Sequence, residues 1–266
     1  MNCYIFDGSF EGLLCCVFAA FSFRERPRQL RRRNAAPTLF GDTAGREIPT
    51  VPEQADRVWR GLAKRLSEGE LNAIAASALC DDDDGEFHSA LFRVLCRIFD
   101  EGPRIIRDFT SPDTLALLQN ARKVNYEAHR LLQFMRFQKA ADGTYIGIME
   151  PAYDVMPQAV EHFRDRFSDS RFIIYDQRRH YGFLCEAGHL QRVHLPLVET
   201  FHCGELPPAM ADPEEELFQR LWRTYFKAIA INERRNPRKQ RQDMPVRFWK
   251  YLTEKKPRYP PPPVDS

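Results

Sequence analysis

The sequence contains no G-x-x-x-x-G-K-[ST] phosphate loop, no G-x-G-x-x-G turn, no G-x-S-x-G nucleophile elbow and no H-E-x-x-H zinc helix. Each of those spacings serves a particular chemistry, so their absence removes several familiar enzyme classes while leaving unfamiliar ones open. C-x-x-C is missing as well, and so is the three-cysteine cluster of a radical iron–sulfur enzyme. The seven cysteines are odd in number, and Cys15 and Cys16 stand side by side in an apolar run, where thiols act as small hydrophobes. A disulfide framework is therefore not expected, which agrees with a reducing compartment. Long apolar stretches are also lacking. The run at 12–23 falls well short of the ~20 residues a membrane span needs, and it follows Asp7 and Glu11 instead of a basic leader. The expectation is a soluble cytoplasmic protein with no membrane partner.

Apolar residues make up 43 % of the 266 residues, with twenty Phe and three Trp, enough for a substantial core. The chain reads as one α+β domain over 1–255, crossed by an irregular surface connection at about 24–52 and followed by an extended Pro-rich tail at 256–266. Tyr4-Ile5-Phe6 predicts a buried strand, and Asp7 or Ser9 caps the helix that follows. Helical spacing recurs over 56–79, 86–99 and 111–132. The four consecutive aspartates at 81–84 lack the alternate ligand positions of a calcium loop and read as a solvated turn. From 134 to 195 the period changes to two, interrupted by one helix at 155–167, which predicts a mainly antiparallel ββαβββ sheet packed with helices from both ends of the chain. Asp142-Gly143 supplies the positive φ of a tight hairpin turn.

Charge is distributed unevenly. Residues 220–256 hold twelve Lys and Arg against three acids, a local +9, so the remainder of a chain that totals +2 carries −7. Interleaved aromatics make this tract suit a polyanion with stackable faces. Leu217, Phe218, Leu221, Trp222, Tyr225 and Ile229 share one helical face, which predicts that they pack in the core and leave the cations outside. Arg234, Arg235, Arg238, Lys239 and Arg241 bracket Pro237. Together with Arg247 and Lys250 they are the candidate nucleic-acid contacts, since Arg presents a fork that matches phosphate. Two polar sites offer acid/base chemistry. Asp7 and Glu11 stand at a strand–helix junction, and Asp176 with His180 interrupts two apolar strands; a capping turn and a hairpin crest are the competing readings. Glu127, His129 and Arg130 close a helix, where a position facing a cleft and a surface ion pair are the competing readings, the ion pair being the cheaper. The spacing of His180, Cys185, His189, His194, His202 and Cys203 matches no finger or ribbon, so neither metal nor cofactor is expected.

Three blocks carry a resemblance: the residues from Tyr4 to Leu14, those from Glu127 through Phe137, and Arg238-Lys239 with Met244-Pro245-Val246-Arg247-Phe248-Trp249-Lys250. In that order they resemble a bacterial family described as DNA-repair or DNA-metabolism proteins, whose core is a domain of unknown function. The resemblance implies a repair role beside a radical S-adenosylmethionine partner enzyme, but it transfers no catalytic residue. A similar domain precedes the glycosylase half of some uracil-DNA glycosylase-family fusions, and no such half is expected after the basic block here. The resulting expectation is a DNA-binding accessory protein. The alternatives are a nuclease, lyase or base-modifying enzyme built on Asp7, Glu11, Asp176 and His180, or a module whose basic face docks an acidic protein. Whether the chain is itself an enzyme stays open at this point.

Overall fold

Strands at the amino end form by pairing segments far apart in sequence. In a computed structural model that describes residues 3–33, 45–80, 86–195 and 204–255, β1 (Cys3–Phe6) is the central strand of three. It runs parallel to β2 (Gln29–Arg32) on one side and to β3 (Arg46–Glu47) on the other. Both partners come from the stretch expected as an irregular connection. β2 is too charged to show a period of its own. It is a strand because Leu30 is buried and its backbone N–H donates to Ser89 Oγ, while β1 supplies the ladder.

The chain divides into two compact units, Met1–Tyr126 and Glu127–Ser266, a finer division than one domain over 1–255. In the first unit, α1 (Phe10–Ser22) starts where Ser9 Oγ accepts from the Gly12 N–H. α2 (Pro52–Ala63) and α3 (Glu68–Ala78) occupy the stretch read as one helical segment; they separate at Ser67, which forms a capping box with Glu70. α4 (Glu86–Glu101) buries Leu91, Val94, Leu95 and Ile98 against the α1 face that carries Leu13, Cys16 and Val17. α5 (Pro112–Phe134) begins in this unit and ends in the second.

The second unit holds β4 (Phe137–Lys139), β5 (Tyr145–Met149), α6 (Met156–Arg166), β6 (Phe172–Asp176), β7 (Tyr181–Glu186) and β8 (His189–Val193). This is the predicted ββαβββ order, and the fold is α+β. The sheet runs β4-β5-β6-β7-β8, antiparallel except where the α6 crossover makes β5 and β6 parallel. Gly143, at φ 84°, turns the first hairpin, and the Asp142 carboxylate accepts from the Thr144 N–H and hydroxyl. On one face Phe137 meets Phe163, Phe167 and Phe172 edge to face beneath α6; on the other, Ile146, Ile148 and Tyr175 meet Leu206. α7 (Glu215–Ala228), α8 (Pro237–Asp243) and a 3-10 turn (Val246–Tyr251) complete the unit. No helix among the described residues is long and apolar enough to cross a membrane. The four aspartates at 81–84, His202, Cys203 and the Pro-rich tail at 256–266 lie outside the described residues.

Candidate nucleic-acid interface

α7 is fixed to the second unit at two points. Near its start Glu215 accepts from the backbone N–H of Lys139, in the edge strand β4. In its middle the Trp222 indole donates to Glu254, whose side chain is only 2 % exposed and also holds Arg136. Burial works against the charge of Glu254, but the Arg136 and Trp222 hydrogen bonds outweigh it and hold the carboxyl below its ordinary pKa. Despite these anchors the apolar stripe of α7 does not pack inward. Phe218, Leu221 and Tyr225 are each more than half exposed, Leu217 and Trp222 are about 40 % exposed, and α7 buries no residue. The expected core placement of this face is therefore incorrect. Spacing establishes that a helix has an apolar side, but not that a neighbour covers it.

The seven candidate cations fall into two groups. Arg247 pairs with Glu127, Lys250 with Glu150 and Lys239 with Asp243. Arg234, Arg235, Arg238 and Arg241 are exposed and meet no carboxylate among the described residues. Asn236 caps α8 by accepting from the Lys239 N–H, and Pro237 opens that helix. Arg238 and Arg241, three residues apart, thus share one side of α8, while Arg234 ends a separate 3-10 turn before it. Arg235 lies close to Lys255, whose ammonium sits 4.9 Å from the centre of the Trp249 ring. Burial first, and then repulsion from Arg235, lower the Lys255 pKa against the opposing pull of Glu254. Because Glu254 also binds Trp222, this group connects the exposed face of α7 to the arginines after it.

The acid/base candidates are held by structural contacts. Asp7 accepts from the Ser9 N–H and hydroxyl and from the Thr50 hydroxyl, which ties together the carboxyl ends of β1 and β3. Burial opposes its charge; those hydrogen bonds prevail and lower its pKa. Glu11, exposed in the first turn of α1, favours the helix dipole. Asp176 is fully buried and accepts from the N–H groups of Arg178 and Arg179 and from the Arg179 guanidinium, closing the turn between β6 and β7. Its pKa is raised by burial, against the Arg179 contacts. His180 is exposed at φ 56°, and its carbonyl is bonded by His194. Asp7 and Glu11 belong to the first unit, Asp176 and His180 to the second.

A family model described as a domain of unknown function, DUF4130, matches residues 86–254. The chain belongs to this family. No curated protein and no solved structure matches it. The DUF4130 region opens at the first residue of α4, takes in the whole five-stranded sheet, α7 and α8, and stops at Glu254. The exposed arginines and the carboxylate that anchors Trp222 therefore lie inside it, whereas Asp7 and Glu11 lie outside.

Within the DUF4130 region the sequence reading missed one residue of consequence. Glu127, expected in a surface ion pair, is 2 % exposed; it accepts from the Ala152 N–H and from Arg247, 120 positions away. A signal for this existed. Val124 and Leu131, both buried, lie three residues before and four after it, so an acid sits on the apolar stripe of α5 and needs a partner there.

Proposed function

We propose that this DUF4130 protein binds nucleic acid through Arg234, Arg235, Arg238 and Arg241, and that it serves a DNA-repair or DNA-metabolism enzyme as an accessory. The observation that carries this reading is the separation of the basic tract into cations neutralised by the protein's own carboxylates and four exposed guanidinium groups that are not. Such groups, pre-set on a short helix and the turn before it, are ready to form bidentate phosphate contacts. The aromatic and aliphatic stripe on α7 adds flat surface on which unpaired bases can stack, so a single strand suits the surface better than a duplex. Arg247 and Lys250 take structural parts in this reading, and Lys239 contributes little. A radical S-adenosylmethionine enzyme is the collaborator that the family resemblance implies.

The double variant Arg238→Glu/Arg241→Glu tests the assignment. Anisotropy of a labelled oligothymidylate should report a loss of affinity of at least about tenfold, with circular dichroism unchanged. Unaltered affinity in a folded variant would overturn it. The exposed stripe on α7 also supports the second reading, a module that docks a protein, with the adjoining arginines facing acids of that partner. Variants of α7 that abolish partner capture while leaving oligonucleotide affinity intact would decide for that reading.

A further inference from the structure

A second surface lies in the first unit, outside the DUF4130 region. α1, α2 and α4 leave between them an open groove of about 450 Å³, floored by Val17, Phe18, Phe21, Val58, Gly61 and Phe99. Gly61 keeps it open: a Cβ at that position would lie 3.0 Å from the Phe99 ring. Arg57 and Gly61 also line an adjoining recess with Arg60, Lys64 and Arg65, where Glu53 is the single acid. These four cations are exposed and pair with no carboxylate among the described residues. Arg60 Nε donates to the Asp56 carbonyl and Arg65 Nη1 to the Gly61 carbonyl; Arg57 and Arg65 lie over the Phe18 and Phe99 rings at 5.8 and 5.0 Å. An apolar slot thus runs directly into a basic edge.

We infer that this groove docks an acidic amphipathic helix of a partner protein, its apolar side chains seated between Phe18, Phe21 and Phe99 and its carboxylates on Arg57, Arg60 and Lys64. Charge complementarity and spacing both favour that occupant. The cations recur at steps of three and four residues along α2, roughly 10 Å over two turns, so acids with the same helical repeat on a neighbouring helix meet them in register. Nucleic acid fits less well. Apart from the Ser22 hydroxyl and Arg57 the lining is carbon, and the polar edge of a base buried there would lose its hydrogen bonds to water without replacement.

The test uses the full chain and a labelled synthetic peptide of about 20 residues, with Leu and Phe along one helical face and Glu beside them. A second peptide of equal charge carries Ala at every apolar anchor, and an oligothymidylate serves as the nucleic-acid probe. The inference expects the anchored peptide to bind at least about tenfold tighter than the Ala peptide. Arg57→Glu/Arg60→Glu should remove that binding and leave oligonucleotide affinity unchanged. Gly61→Leu, which fills the groove, should reduce peptide affinity while preserving the basic edge; the charge variant, at two exposed positions, carries the test if Gly61→Leu fails to fold. Equal affinity for the two peptides would reduce the surface to bare charge and overturn the inference. So would a charge variant that loses the oligonucleotide and keeps the peptide.

Discussion

At the scale of single residues, the basic tract separates by what each side chain already touches. Arg247 and Arg238 look alike in sequence, yet Arg247 neutralises a carboxylate withdrawn from water while Arg238 has no such task. Removing Arg247 leaves Glu127 buried and charged with one backbone N–H as its remaining donor. The Arg247 side chain is 43 % exposed, so water repays part of that loss, and Arg247→Ala should cost about 2 kcal/mol instead of the 3–5 typical of a fully buried pair. Urea unfolding measures this directly. Arg238→Ala should stay within about 0.5 kcal/mol of the parent, since an exposed side chain without partners holds nothing together. Equal stability of the two variants would show that the Glu127 contact stabilises nothing. Tyr4 and Asp176 follow the same logic: each is buried, and each has a named partner, Glu25 for the hydroxyl and Arg179 for the carboxylate.

At the scale of elements, legibility followed the range of the contacts involved. The ββαβββ unit could be read because its strands are short, mostly apolar runs bounded by turns, the Asp142-Gly143 turn is local, and α6 has its own periodicity. β2 and β3 could not be read, because Gln29–Arg32 and Arg46–Glu47 are strands only beside β1. α7 shows the converse difficulty. Its period is plain, but the side chains at that period face water, and burial depends on a neighbour that a helical repeat does not specify. This exposure gives α7 a testable property. Phe218→Ser with Tyr225→Ser should leave the unfolding midpoint nearly unchanged, because both rings are already more than half exposed. If bases stack on them, each lost platform weakens oligonucleotide binding by about 1–3 kcal/mol, seen as a rise in Kd at fixed salt. A drop in stability with no change in Kd would instead make the stripe part of the fold.

At the scale of the whole molecule, the +9 tract is set against a net −7 on the rest of the chain, so the tract is where a polyanion is drawn most strongly. The salt dependence of binding then counts the cations that are engaged. For a single strand, the logarithm of the binding constant falls with the logarithm of salt at about −0.7 per phosphate neutralised. Seven engaged cations would give a slope near −5, about a 900-fold loss between 50 and 200 mM salt; four would give about −3, roughly a 50-fold loss. Arg247, Lys250 and Lys239 are held by Glu127, Glu150 and Asp243, and turning them toward phosphate would break those pairs. The shallower slope is therefore the expected one, and titration of oligothymidylate binding against potassium chloride measures it. Replacing Arg238 with Gln should flatten the slope by a further ~0.7, whereas replacing Lys250 should leave it unchanged, because Lys250 has released no counterion to begin with. A slope close to zero would mean that no phosphate is gripped at all, and the four exposed arginines would then have to face the carboxylates of a protein.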